Sequence, residues 1–328
     1  MQLVEIDPVA PDPAVIDRAA ALLRAGRLVA FPTETVYGLG ANALDSAAVD
    51  RIYTAKGRPA YNPLIVHVAN AARALDVVRE WTATADALAS AFWPGPLTLV
   101  LRKRDEIPDG VTAGLSSVAV RVPRHAVAQA LLEASNLPIA APSANRSMML
   151  SPTTGVHVAS SLGDVVDLIL DAGPTVVGIE STVLDLTTAT PTLLRPGSIS
   201  VPEIEAVIGA IAIATSAKSG VGRASPGMMD RHYSPRARLL LVDAADVAAT
   251  LDHERGGGRR VGALVVASLL QDAGVTRMPR DAAGYAAQIY NVLHALDNAG
   301  YDVIVVERVP DGAEWLGVRD RLERAARS

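Results

Sequence analysis

One stretch divides this sequence. Residues 214–237, "ATSAKSGVGRASPGMMDRHYSPRA", are dense in Gly, Ser and Pro and carry no apolar periodicity. A segment that long without regular structure inside a compact protein is either functional or a linker. It separates an N-terminal unit over residues 1–213 from a C-terminal unit over 238–328, and 328 residues are about right for two domains.

The N-terminal unit interleaves helix and strand patterns. Asp12 and Pro13 read as an N-cap and first helical position, Ile16, Ala19, Ala20 and Leu23 share one face, and Gly26 ends the helix. Residues 27–31 form a strand, and Ser46 is expected to cap a helix that carries Val49 and Ile52 and stops at Gly57. Further strands are expected at "LIVHV", "LTLVL", "SSVAVRV", "PIAAP", "VVDLIL", "STVLDL" and "TLLRP". Helices are expected near 71–79, 84–92, 125–135 and 202–208. Several strands follow one another directly, so the sheet is predicted to be mixed, with helices flanking it. After the break, "RLLLV", "RVGALVVA" and "YDVIVVE" alternate with helices, one of them over 281–298, as in a small parallel α/β domain.

Composition excludes several chemistries. There is no cysteine, which removes disulfides, thiolate catalysis and Cys-based zinc sites. The net charge of −5 argues against strong direct nucleic-acid binding, which draws on phosphate neutralisation. No apolar run approaches the ~20 residues needed to span a membrane. The start lacks a signal-peptide core, so a soluble cytoplasmic protein is the expectation. No P-loop or nucleophile elbow occurs, and no histidine pair has metal-ligand spacing. Gly38-Leu39-Gly40 with Ala43 fits a loose dinucleotide fingerprint, but it stands too far past its strand.

What remains is polar chemistry at strand ends. "FPTETVYGLG" over 31–40 places two threonines, a glutamate and a tyrosine just beyond an apolar strand. "AKGRPAYNPLIVHV" gathers Lys56, Arg58, Asn62 and His67, in a chain whose only lysines are Lys56, Lys103 and Lys218. Lysine and arginine both suit phosphate, the first as a point charge and the second as a fork. A helix C-terminus favouring cations explains Lys56 and Arg58 equally well taken singly. "APSANRSMMLSPT" supplies Ser143, Asn145 and Ser151, "GIESTVLDL" supplies Glu180 and Ser181, and "LLRPG" supplies Arg195. "VAVRVP" puts Arg121 in an apolar strand, where it needs a partner. Such a set binds a small polar molecule and a phosphate compound, and works by positioning and charge stabilisation.

Together these stretches resemble the threonylcarbamoyl-AMP synthase family, the YrdC-like proteins of tRNA modification. The matching motifs, in order, are "PTETVYGLG", "KGRPAYNPLIVHV", "WPGPLT", "VTAGLSSVAVRVP", "PIAAPSAN", "SPT", "ESTVLDL" and "LLRPG". "SPGMMDRHYSP" and "WLGVRDRLERAA" resemble the linker and the closing helix of the longer members. The resemblance implies a twisted sheet with flanking helices, followed by a Rossmann-like domain. It implies a reaction in which L-threonine, bicarbonate or CO2 and ATP give threonylcarbamoyl-AMP and pyrophosphate. A separate tRNA threonylcarbamoyl transferase system would use that product beside the anticodon. It further implies that Thr33, His67, Thr112, Arg121, Ser143 and Ser181 hold threonine. Lys56, Arg58, Asn62, Asn145, Ser151 and Arg195 would hold ATP, with Lys56 and Arg58 the catalytic cations. His232 and Tyr233 would close over the adenylate as part of a lid, Mg2+ would accompany ATP, and no metal is expected to be held by the protein alone. Two positions depart from the family pattern: Met148 stands where a glycine is usual, and Met229 where a lysine is common. A carbamoyltransferase-like enzyme and a non-catalytic nucleotide- or RNA-binding protein remain the rival readings.

Overall fold

The computed structural model describes residues 2–214 and 233–327. His232, Met229 and the greater part of the 214–237 segment therefore lie outside the described residues. In chain order the strands are β1 (Gln2–Glu5), β2 (Val29–Phe31), β3 (Gly38–Asn42), β4 (Ile65–His67), β5 (Leu97–Arg102) and β6 (Ser117–Arg121). They continue with β7 (Ile139–Ala140), β8 (Leu168–Asp171), β9 (Thr182–Asp185), β10 (Thr192–Arg195) and β11 (Ala212–Ile213). These eleven form one sheet in the order β1-β8-β2-β3-β7-β4-β6-β5-β9-β10-β11. Parallel and antiparallel pairs mix, as expected: β4 runs parallel to β6, while β5 pairs antiparallel with β6.

Both faces are covered, because successive residues of a strand point to opposite sides. On one face Phe31 and Val29 pack with Ile16, Ala19 and Leu23 of the helix Pro13–Arg24 and with Leu131 of the helix Ala126–Ser135. On the other face Ala30, Val66, Leu99 and Val120 pack with Val49 and Ile52 of the helix Ser46–Lys56. Pro13 starts its helix with the Asp12 carboxylate accepting from the Ala14 amide. The second cap differs from expectation. Asp45, not Ser46, accepts from the amides of Ala47 and Ala48, because aspartate caps as well as serine and stands one residue earlier. Gly57 ends that helix at φ +60°, as expected. The helix expected over 71–79 shrinks to Ala71–Ala74.

Strand β3 was not legible as a strand, since it reads "GLGAN". Its glycines serve packing. A Cβ on Gly40 would stand 2.8 Å from the Phe31 ring and 2.9 Å from an Ile139 methyl. The loose fingerprint is thus explained by two strands approaching over a phenylalanine, with no call for a phosphate.

After the break come β12 (Arg238–Val242), β13 (Val261–Val265), β14 (Val275–Arg277) and β15 (Val303–Glu307). They form a second, all-parallel sheet in the order β12-β15-β13-β14. At its carboxyl end the buried Glu307 carboxylate accepts from the amides of Val266, Ala267 and Ser268. Open α/β sheets usually bind ligands at that end, and here a side chain of the same domain fills it. The helices Ala282–Asn298 and Leu316–Ala326 pack against loops of the N-terminal part. Val36, Leu150 and Ile179 of the N-terminal part share a core with Tyr285, Tyr290, Trp315 and Leu322. Backbone meets backbone at two points. A Cβ on Gly178 would collide with the Ala286 carbonyl, and one on Gly317 would stand 2.5 Å from the Gly197 carbonyl. Among the described residues no helix is long and apolar enough to cross a membrane.

Replacing Gly40 by Ala should destabilise the large sheet by about 1–3 kcal/mol through overpacking against Phe31 and Ile139. Urea unfolding followed by the fluorescence of Trp81 and Trp93 measures it. An unchanged midpoint would show that the β2–β3 approach yields freely.

Candidate active site

The segment "FPTETVYGLG" leaves the sheet at the end of β2 and returns as β3, its antiparallel partner. Between them Thr33 makes a tight turn: its hydroxyl donates to the Val36 carbonyl at 2.7 Å and accepts from the Thr35 and Val36 amides. Glu34 is buried, and one carboxylate oxygen accepts from the Arg124 amide at 2.9 Å. The other stands 2.8 Å from Arg121 Nη2, close enough for an ion pair but not aligned as a hydrogen bond. Arg121 Nη1 donates to the Thr35 hydroxyl at 2.9 Å and Nε to the Gly95 carbonyl at 3.1 Å. Tyr37 anchors the far end by donating to the Gly173 carbonyl at 2.7 Å. The polar run at this strand end is thus a brace, and its outer side lines a cleft.

That cleft draws on the loop after β2, on β4 and β6, and on the Glu180–Ser181 segment. Of the residues singled out from sequence, Thr33, Arg58, His67 and Arg121 line it, together with Ser143, Ser181, Arg195 and Tyr233. Lys56, Asn62, Thr112, Asn145 and Ser151 are buried but not on its lining.

Strand register places His67 of β4 directly beside Arg121 of β6. The His67 ring is buried edge-on to Phe31, and its Nδ1 has no hydrogen-bond partner among the described residues. Burial, reinforced by the Arg121 charge, lowers its pKa to about 3, so the imidazole is neutral at physiological pH. A neutral, unpaired ring nitrogen in a cleft can accept from or donate to a ligand. The Thr112 hydroxyl is likewise buried without a partner.

A second group of cations stands around Ser181. Arg195 donates from Nε to the Ser181 carbonyl at 3.0 Å and from Nη2 to its hydroxyl at 3.1 Å. That hydroxyl also pairs with Thr98 at 2.7 Å. Arg58 donates to the carbonyls of Asn62 and Pro63, and burial lowers its pKa to about 10, which leaves it charged. Lys56 turns inward, donating to the carbonyls of Ser143 and Asn145, so it props the loop that carries both. Burial and the neighbouring Arg58 push its pKa well below the usual lysine range.

Glu180, Thr35 and Glu34 belong to this constellation; the sequence placed them among the polar groups at strand ends but assigned none of them to threonine or ATP. Glu180 accepts from the Ser151 hydroxyl and pairs with Arg321 of the second domain at 2.7 Å. Burial pushes its carboxyl up, but Arg321 and Arg195 outweigh that and hold its pKa at about 2. The signal available for Glu180 was its place beside Ser181 at a strand start. Glu34 had only the general demand that buried Arg121 find a partner.

The donor set does not suit a metal held by the protein alone. Glu180 is the only carboxylate on the cleft lining among the described residues, and both of its oxygens are engaged.

The two sheets, with a cleft at the first, define a class: a two-domain α/β protein with buried cations at strand ends. Residues 21–197 match the family model described as "Telomere recombination", and residues 199–327 match "Threonylcarbamoyl-AMP synthase, C-terminal domain". A protein of Pyrococcus abyssi called threonylcarbamoyl-AMP synthase is 44% identical over 316 residues, covering 94% of this chain and 93% of its own. A Bacillus subtilis protein of the same name is also 44% identical, over 98% of this chain and 95% of its own. The crystal structure of P. abyssi Sua5 complexed with L-threonine superposes with a TM-score of 0.95 at 41% identity, over 99% of this chain and 98% of that one. A Halorhodospira halophila protein with the synthase name is 36% identical over 167 residues, which are 50% of this chain but 85% of that shorter protein. The chain belongs to the threonylcarbamoyl-AMP synthase family.

His67 makes a prediction about acid stability. Its pKa is about 3 when folded and near 6.5 when unfolded. As pH falls below 6.5, the unfolded chain takes up a proton that the folded protein refuses, so stability drops. The share from this one group is about 1.4 kcal/mol per pH unit. In His67→Gln that share should vanish, and the stability lost between pH 6.5 and 5 should shrink by about 2 kcal/mol. Denaturant titrations at the two pH values would show it; equal losses in both proteins would mean that the ring is protonated in the fold.

Proposed function

We propose how this cleft carries out the family's reaction, in which L-threonine, bicarbonate or CO2 and ATP give threonylcarbamoyl-AMP and pyrophosphate. The observation that carries the reading is the meeting of three buried arginines, Arg58, Arg121 and Arg195, on one cleft in a chain of net charge −5. Buried cations demand anions, and the threonine carboxylate and the ATP triphosphate are anionic substrate groups.

Arg121, braced by Glu34, and neutral His67 receive the threonine carboxylate and its polar atoms, with Thr33, Thr112, Ser143 and Ser181 around them. Arg58 and Arg195 receive the phosphates. Asn62, Asn145, Ser151 and Lys56 shape the walls at that end, Lys56 by holding the Ser143–Asn145 backbone. Tyr233, which lines the cleft at φ +63°, is the described end of the proposed lid. Residues 1–213 form the catalytic unit, 214–237 the lid and linker, and 238–328 the second domain.

The chemistry needs no protein nucleophile. The neutral threonine amine adds to CO2 and gives up a proton to water, giving a carbamate. A carbamate oxygen attacks the α-phosphorus of ATP, the bond to the β-phosphate oxygen breaks, and pyrophosphate leaves. Negative charge grows on phosphoryl oxygens, where fixed guanidinium groups stabilise it without reorganising. Exclusion of water by the cleft protects the carbamate. Because both oxygens of Glu180 are engaged, Mg2+ belongs to the substrate as MgATP, held by phosphate oxygens. The product would serve a tRNA threonylcarbamoyl transferase system in the cytoplasm.

Pyrophosphate release tests the whole reading. It should require threonine, bicarbonate and ATP together. Release without threonine, or none with all three, would overturn it. Arg195→Ala should lower the rate by about tenfold to a hundredfold, since a charge-assisted hydrogen bond contributes ~1.5–3 kcal/mol. Serine should be used roughly 10–200 times less efficiently than threonine, provided the cleft packs the threonine methyl. Equal use of the two amino acids would show that the methyl is not read.

A further inference from the structure

The second domain holds one residue of the cleft lining, Glu180, from behind. Arg321, on the helix Leu316–Ala326, has no exposed side-chain surface. Its Nε donates to Glu180 Oε2 at 2.7 Å, and its Nη1 donates to the Pro196 carbonyl at 3.0 Å and to Asp320 at 2.7 Å. The guanidinium lies over the Tyr233 ring at 5.0 Å. From the helix Ala282–Asn298, Tyr290 donates to Glu180 at 3.2 Å, and the His294 ring meets the Ser151 carbonyl at 3.1 Å. The backbone contacts at Gly178 and at Gly197–Gly317 bracket the same Glu180–Ser181 segment.

Glu180 is an acid on the lining of a cleft argued above to bind a triphosphate. Left alone, it would repel that anion and compete for Arg195 and Lys56, both of which feel its charge. We propose that Arg321 is a positioning residue for ATP, supplied by the second domain: it ties the Glu180 carboxylate back, so that the cleft cations are presented to phosphate. This rests on the synthase reading. Arg321 need not touch substrate to act; it works through Glu180.

The groups facing Glu180 are Arg321 and Tyr290 from the second domain, Arg195 of β10, Ser151, Tyr233 and Lys56. Removing Arg321 takes away the leading attraction on the carboxylate, so its pKa rises, with Arg195 and the Ser151 hydroxyl left to oppose burial. Glu180 would then carry its charge at alkaline pH and lose it towards acid pH. The KM for ATP should follow.

The experiment measures KM for ATP and for threonine in full-length protein by pyrophosphate release, from pH 6 to 8.5. In Arg321→Met the KM for ATP should rise at least tenfold at pH 8, with the KM for threonine within threefold of the parent. That rise should diminish as pH falls to 6. In the double variant Glu180→Gln/Arg321→Met, the ATP constant should return to within threefold of the parent, with a parent-like pH profile. Arg321→Lys, which keeps the charge, should also stay within threefold. A double variant no better than Arg321→Met would overturn the proposal, as would equal rises in both KM values. Should Arg321→Met fail to fold, Arg321→Lys and the double variant carry the test, and a tenfold rise in either one overturns it. Failure of the synthase reading is a separate result, seen as no threonine- and bicarbonate-dependent release by the parent protein.

Discussion

The Glu34–Arg121 pair fixes the site to the sheet. Arg121 belongs to β6, near the middle of the large sheet, and Glu34 to the loop that leaves β2. Their contact, both side chains nearly inaccessible to water, pulls that loop across β3, β7 and β4. Thr35, Thr33 and the Val36 carbonyl are held in sequence behind it. A buried ion pair rarely adds net stability over an apolar pair of the same shape, but removing one partner costs about 3–5 kcal/mol. The pair therefore specifies where the loop goes more than how firmly the domain holds together. Arg121 also sets the charge beside His67 and helps keep that ring neutral.

Much of this was legible in residue order. Asp12-Pro13 and Gly57 mark helix ends because capping is local chemistry, settled within three or four residues. The mixed sheet was legible because most of its strands are continuous apolar runs. Strands β1, β3, β11 and β14 were not, being short, polar or glycine-rich; their strand character comes from neighbours in space. The cleft residues were legible through hydroxyl, amide and cationic groups at strand ends. Lys56 shows the limit of that reasoning. Its residue type pointed to phosphate, yet its ammonium sits on two backbone carbonyls, a preference that only the folded loop decides. Met148 shows the reverse. Met148 stands where the family's glycine is usual, and its backbone is left-handed at φ +71°, its carbonyl accepting from the Ser234 amide at 3.0 Å. The conformation survives a side chain that costs it about 1–2 kcal/mol.

The second domain carries an ordinary parallel sheet put to an unusual use. Its carboxyl end, where such sheets usually receive ligands, is closed by Glu307. Its two long helices instead offer Tyr290, His294 and Arg321 to the first domain. A shorter relative matches only half of this chain, and in this protein the second domain holds Glu180 of the cleft lining.

Arg321 follows Glu180 by 141 residues. On a ribosome adding roughly 5–20 residues per second, that separation takes on the order of ten seconds to cross. For the part of that interval after residue 213 every strand of the large sheet has been made, while the acid at its cleft has yet to meet its arginine. The nascent large sheet must therefore pass through a stage in which its pocket is shaped but electrostatically unfinished. Birth order thus gives this protein an immature form, one that the completed helix brings to an end.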